Sequence, residues 1–430
     1  MSGEVNKLSP RLLFFLLLFV PALTYAEAWK PHLTGDAFAP ETILTVDKQN
    51  QSFLIFSNKS PLVKKESWQC TTGQAQGDKL VEGDLKTPEG IYFLERRIAN
   101  NPYLPYELFG DLAFTLNYPN PVDRIKNKTG HSIWIHGRGR EVVPFDTEGC
   151  VAMDMEYMLA LEDYVEFRKT PVIIAEKISW SPDEIEHEHS RAIARNSLQW
   201  ADDWRNKSTA YFEHYDSILF PKSEGQSFRA FQAHKQRLFN QYAWMDVFVE
   251  QPKVVHGPDY SVSYFGQVFK APGFYSRGIK RLYWKQDDDG RFRIVGEEWR
   301  SYPSADLEKA YLDARKDDIL EVLSRWREAW LDADLDAYAS FYHNNAVQNN
   351  LRGRSSIVDH KVDIWGRGLL PKAIEISNIK FETSNEGFVL VFYQNYSSVT
   401  GFSDFGEKTL TLAPFKDQWK IISEHWREIS

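Results

Sequence analysis

The chain has 430 residues, 43% of them hydrophobic and 14% aromatic, and a formal net charge of −9. That composition excludes a disordered or fibrous chain and, at roughly 100–200 residues per domain, suggests two to four domains. The acidic balance argues against nucleic acid as a partner, and with Cys70 and Cys150 the only cysteines, stability must come from ordinary cores.

Lys7 and Arg11 precede the apolar run Leu12–Val20, and PALTYA comes next, ending in the small residue Ala26. This is the shape of a secretory signal peptide, with cleavage expected after Ala26. The apolar run is short of the roughly 20 residues that a spanning helix needs. Cleavage removes Glu4, Lys7 and Arg11, which takes the mature chain to −10. For an exported protein, a Cys70–Cys150 disulfide stands as the alternative to two free thiols.

From Ile43 to Ile98 short apolar runs alternate with glycine-marked turns, a β pattern, and Pro88 and Gly90 bracket a turn before the strand Ile91–Leu94. Phe114–Asp123 reads as a strand entering a Pro/Asn-rich loop. The alternating Ile133-Trp134-Ile135 ends a strand at His136. Fourteen positions later stands Cys150; each of the two adjoins a glycine, Gly137 and Gly149. A thiol with an ordinary pKa of about 8.5 is mostly protonated at neutral pH, so a nucleophilic cysteine needs a base or cation beside it. His136 is the candidate base and Cys150 the candidate nucleophile. Apolar spacing over Met153–Arg168 predicts a helix just after Cys150, whose macrodipole would favour the thiolate and whose backbone N–H groups would hold an oxyanion. Thr170–Lys177 returns to a strand.

The polar stretch Ser179–His189 reads as a linker and domain boundary. Its His187-Glu188-His189 lacks a third ligand at a defined spacing, so no metal site is expected there. Beyond it the chain carries an internal repeat: Trp200 and Trp204 recur as Trp326 and Trp330, an offset of 126, and FRIVGEEWR at 292–300 recurs as WKIISEHWR at 419–427, an offset of 127. Phe265 and Gln267 keep that offset with Phe392 and Gln394. In each copy helical periodicity comes first and strand alternation later, an α+β cone in outline. A long amphipathic helix ending near Asp332 opens the second copy. The tryptophan pairs are read as core, with sugar-binding pockets the alternative.

Three segments carry a family resemblance: TGQAQGDKLVEGDLKTPEGIYFL, NYPNPVDRIKNKTGHSIWIHG and TEGCVAM. Through them Thr45–Lys177 resembles the L,D-transpeptidase catalytic domain of peptidoglycan enzymes, and each repeat resembles a nuclear-transport-factor-2-like (NTF2-like) domain. The implied fold is multidomain: a signal peptide at 1–26, a mainly-β catalytic domain at 27–180, and α+β cones at 187–303 and 308–430. The resemblance makes Cys150 the nucleophile, His136 the base and the Gly137 carbonyl the group that orients the imidazole. Thr147 and Gly149 belong to the nucleophile motif, and Gly83, Thr87, Pro88 and Gly90 to a fold-defining turn. Tyr118, Asn120, Asp123, Arg124 and Arg138 are candidate cleft residues. The commonest cross-linking members carry arginine where this chain has Ala152, and GCVAM with NYPN is more similar to hydrolytic, cell-shape carboxypeptidase branches. The resemblance therefore implies a cofactor-free cysteine enzyme in the periplasm of a Gram-negative bacterium, acting on peptidoglycan stem peptides at an L,D bond, by hydrolysis first. Cross-linking or protein anchoring is the second reading. An envelope-binding scaffold is the third, with cones that recruit glycan or protein or form a homodimer.

Overall fold

A computed structural model describes residues 29–57, 61–184 and 188–429. The expected signal peptide and His187 lie outside them. The first part is an eight-stranded sheet built from β2 (Thr42–Asp47), β3 (Ser52–Ser57), β4 (Val63–Gln69), β5 (Gly90–Ala99), β6 (Leu112–Leu116), β7 (Trp134–Arg138), β8 (Val151–Asp154) and β9 (Pro171–Ala175). The spatial order is β4-β3-β2-β9-β5-β6-β7-β8, with β2/β9 and β7/β8 parallel. β1 (His32–Gly35) and β10 (Ser179–Glu184) form a separate parallel pair. Short helices α1 (Tyr106–Phe109), α2 (Pro121–Ile125) and α3 (Met155–Leu161) fill the connections.

The central strands are apolar on both faces because both are covered, as period-2 alternation requires. Leu44, Val46, Tyr92, Leu94, Val172 and Ile174 point into the core of this first unit. Their alternating neighbours Ile43, Ile91, Phe93, Ile173 and Ala175 share a second core with Tyr260, Val262, Tyr264, Ile279 and Tyr283 of the next unit. The catalytic sheet is thus bound face-on to the first cone.

That cone consists of α4 (Glu188–Arg205), α5 (Leu219–Glu224) and α6 (Phe228–Gln241) against β11 (Asp246–Val249), β12 (Lys253–His256), β13 (Ser261–Ala271), β14 (Phe274–Gln286) and β15 (Phe292–Ser301). The second consists of α7 (Ala305–Leu331), α8 (Leu335–Ser340) and α9 (Arg354–Gly366) against a sheet of order β17-β16-β21-β20-β19-β18. Its strands are β16 (Tyr342–Gln348), β17 (Leu351–Arg352), β18 (Pro371–Thr383), β19 (Phe388–Ser398), β20 (Ser403–Phe415) and β21 (Gln418–Glu428). The repeat read from the sequence extends to the buried polar atoms. Glu297 takes Lys280 at 2.8 Å and the Tyr215 hydroxyl at 3.1 Å, with Trp200 donating to Tyr215 at 2.9 Å. Glu424 takes Lys408 at 2.6 Å and the Tyr342 hydroxyl, with Trp326 donating to Tyr342 at 3.1 Å. Both first tryptophans of the pairs are fully buried core, as read.

Buried ion pairs bolt the three units together. Arg281 of the first cone meets Glu95 of the catalytic sheet at 2.6 Å and Glu298 at 3.1 Å, and Glu298 also accepts from Asn117 at 2.8 Å. Asp246 meets Arg315 of α7 at 2.8 Å and accepts from Tyr311 at 2.9 Å.

Two sequence expectations are corrected. The helix expected over Met153–Arg168 is shorter: Val151–Asp154 is the strand β8, because Val151, Ala152 and Met153 are all fully buried beside β7, and α3 covers only Met155–Leu161. The polar stretch from Ser179 is not an irregular linker: Ser179–Glu184 is β10, aligned with β1, and α4 begins at Glu188.

Candidate active site

The site is assembled where β7 and β8 run side by side. His136 stands opposite Ala152 in their parallel register, and Ile135 opposite Val151, so the chain reaches Cys150 beside Trp134. Alternation along the strands returns Cys150 to the face that carries His136. Cys150 Sγ donates to the Ser132 carbonyl at 3.6 Å. His136 is buried, its ring 5.0 Å from that of Phe109 on α1, and its Nδ1 lies 2.8 Å from the Gly137 carbonyl. A carbonyl can only accept, so Nδ1 carries the proton and Nε2 is left as the acceptor.

Three features hold the Cys150 turn. The Cys150 carbonyl accepts from Thr147 Oγ1 at 2.7 Å and from Thr87 Oγ1 at 3.4 Å. The Thr87 hydroxyl in turn accepts from the Gly73 N–H at 2.8 Å. Gly149 has φ +133°, and a Cβ there would stand 2.8 Å from the Lys86 carbonyl, so both backbone and space demand glycine. Gly137 answers to packing instead: a Cβ would lie 2.0 Å from Met155 Sδ, which fills the space beneath the strand.

Burial pushes the Cys150 thiol up to about 11, against the pull of the Trp134 N–H. Burial likewise holds the His136 imidazole down at about 4, against its bond to Gly137 and with help from the Arg138 charge. At neutral pH the pair is a thiol and a neutral imidazole. Cys70 is buried, and burial raises its thiol well above the usual range; both cysteines are free, which removes the disulfide alternative.

The remaining candidates are dispersed. Arg138 is buried two residues past His136 and pairs with Asp146, which also takes Arg140 at 2.7 Å. Tyr118 is core, its hydroxyl donating to the Thr129 carbonyl at 2.9 Å. Asn120 caps α2 in a reciprocal capping box with Asp123. Asp123 and Arg124 have partners within the protein. Asp123 is buried against Lys128 at 2.8 Å, and Arg124 Nε turns to the Ser223 carbonyl of the first cone at 2.6 Å. The helix-dipole expectation fails as well, since β8 separates Cys150 from α3. Gly149 N–H is engaged by Thr147 Oγ1 at 3.2 Å.

Sequence reasoning missed Phe109, Ser132 and Met155. Phe109 carries no motif, Ser132 lies in a quoted segment but was given no role, and Met155 was legible only as one apolar position of a helix. Beneath the turn lies a buried charge chain it also missed. Lys48 reaches Glu89 at 3.0 Å and the Thr87 carbonyl at 2.8 Å, while Lys128 joins Asp123 and Asp78. Among the described residues no group of three or more His, Cys, Asp or Glu is placed to hold a metal, and His189 meets Phe292 edge to face.

Residues 41–174 match the L,D-transpeptidase catalytic domain (YkuD), and residues 192–298 and 318–425 each match the Cds6 C-terminal NTF2-like domain. No curated protein matches the chain. Similar solved structures include Bd1075 of Bdellovibrio bacteriovorus, 29% identical over 62% of this chain and 95% of that one, with a TM-score of 0.47. Another is the helical cell shape determining protein Pgp2 of Campylobacter jejuni, 27% identical over 60% and 91%, with a TM-score of 0.48. The chain thus carries an L,D-transpeptidase catalytic domain over residues 41–174, followed by two NTF2-like domains.

Proposed function

We propose that this member of a peptidoglycan-modifying family hydrolyses stem peptides at an L,D bond outside the cytoplasm, in the periplasm of a Gram-negative cell, through a Cys150 thioester. His136 Nε2 takes the thiol proton as Sγ attacks the carbonyl of the L-centre residue, and then gives it to the departing amine. Water, activated by the same nitrogen, releases the acid. With Gly149 N–H engaged, the Cys150 N–H is the turn's own donor for the oxyanion, an effect typically worth about 2.7–4 kcal/mol. The observation that carries the reading is the Nδ1 contact with the Gly137 carbonyl at 2.8 Å, which leaves Nε2 basic. Hydrolysis is favoured by Ala152, fully buried and bonded through its backbone to Thr71, where a cation would otherwise stand.

The test is incubation of the mature protein and of Cys150→Ala with purified sacculi and muropeptides, with products resolved by mass. Stem peptides that shorten, or bridges that open, only with the intact cysteine support the hydrolase. New L,D cross-links or D-amino-acid exchange products make it a transpeptidase. No change with any substrate moves the function to an envelope-binding protein.

A further inference from the structure

We propose that the cleft between the two cones binds oxyanions carried on an extended polymer, with stem-peptide carboxylates as their source. That choice of source rests on the function proposed above; the site itself does not.

The cleft has a volume of about 500 Å3, and Arg205, Lys207, His343, Arg354, Lys416 and Lys420 line it without a single carboxylate. Past Arg205 and Lys420 it continues toward Asp318, Glu321 and Asp417, where the signs are mixed, and Asp417 accepts from Asn206 Nδ2 of the cleft at 2.7 Å. Its cations are poorly compensated. Lys207 Nζ ends on the Ala243 carbonyl at 3.1 Å and on that of Tyr242, and Lys420 Nζ ends on the Ser340 carbonyl at 2.6 Å. Neutral acceptors satisfy the protons and leave the charges standing. Arg205 reaches Asp202 at 2.8 Å, but its Nε is buried without a partner among the described residues, as is Asn206 Oδ1. No carboxylate pairs with Arg354 or Lys416 there, and both are exposed. His343 lies flat on Phe415, ring centroids 4.2 Å apart, and Arg354 and Lys420 add to the burial that holds its imidazole low.

The repeat supplies an internal control. Arg205-Asn206-Lys207 of the first cone correspond to Leu331-Asp332-Ala333 of the second. The hairpin turn that carries Lys416 corresponds to one reading Asp287-Asp288-Asp289, His343 corresponds to Asp216, and Arg354 to Phe228. Only Lys420 has a basic counterpart, Arg293. In a chain of net charge −9, the two copies differ so that positive charge gathers where they face each other. An oxyanion there would complete charge-assisted bonds that the protein leaves open. Such a cleft exists only because the cone is duplicated.

The experiment uses the full mature chain in a Cys150→Ala background, so that binding is read without turnover. Co-sedimentation with purified sacculi is measured at low and high salt for this chain, for Arg354→Glu/Lys416→Glu, and for Lys372→Glu/Lys380→Glu. The last pair makes the same net-charge change on exposed strand β18. The cleft pair is expected to weaken binding at least about tenfold, and the control pair less than about threefold, with added salt weakening the unaltered chain. All three should melt alike, and with Cys150 restored the cleft pair should turn over soluble muropeptides as the unaltered chain does. Displacement of the bound chain by muramyl tetrapeptide assigns the oxyanions to carboxylates. Displacement by inorganic pyrophosphate alone keeps the site and overturns the carboxylate source. Absence of binding, equal loss in both pairs, or displacement by neither probe overturns the proposal.

Discussion

A thiol held near 11 and an imidazole held near 4 are both uncharged at neutral pH. On the proposed function, His136 acts as a base at the moment of attack instead of standing in a preformed ion pair. Alkylation of Cys150 by iodoacetamide should therefore climb about tenfold per pH unit from pH 6 to 9 without a plateau; a plateau at neutral pH would mean a resident thiolate. Cys70 should stay unlabelled until the protein unfolds. Replacement of His136 by alanine should lower turnover by roughly 10²–10⁴-fold with the fold intact, read by product mass. The depressed imidazole also carries a stability term. Between pH 6.5 and about 4 the unfolded chain binds a proton at this position that the folded chain refuses, so stability falls as pH drops through that window. Its size is at most on the order of 3 kcal/mol. The melting temperature of His136→Gln should fall less between pH 6.5 and 4 than that of the unaltered protein.

The Cys150 turn is held by elements that share no sequence neighbourhood. Thr87, Gly73 and Lys86 belong to the loop before β5, and that loop rests on the charge pairs Lys48–Glu89 and Asp78–Lys128–Asp123. Gly149→Ala would need both a left-handed backbone and room taken by the Lys86 carbonyl, so it should cost more than tenfold in activity while Thr147→Ser, which keeps the hydroxyl, is mild. Lys128→Met leaves Asp123 buried without its cation. Calorimetry should show a loss of about 3–5 kcal/mol, and Asp123→Asn added to Lys128→Met should restore part of it.

Alternation along the catalytic strands sends one face of the sheet into its own core and the other onto the first cone, where Phe93 meets Tyr264 at 5.2 Å between ring centroids. Such an apolar, ion-paired contact ties the unfolding of the two units together. A single calorimetric transition is expected for catalytic domain and first cone. Arg281→Met, which leaves Glu95 and Glu298 to share Arg300 alone, should split it or lower it by several degrees. A chain ended after the catalytic strands should aggregate, because it exposes Ile91, Phe93 and Ile173.

The sequence by itself determined what depends on local pattern and on residue type: a strand at His136, the glycine before Cys150, the buried first tryptophan of each pair, the long helix before Asp332 and the duplication. Each of these is a matter of period, offset or steric need along one stretch of chain. Only the tertiary structure decided what depends on partners far apart in sequence. Val151–Asp154 became a strand because β7 offered it a ladder, against its helical spacing. Arg124 turned toward the first cone because the Ser223 carbonyl, 99 residues further on, accepts from its Nε. The charge of the cone–cone cleft was likewise unreadable in the chain, since its lysines and arginines come from both repeats and acquire a common sign only where the two surfaces meet.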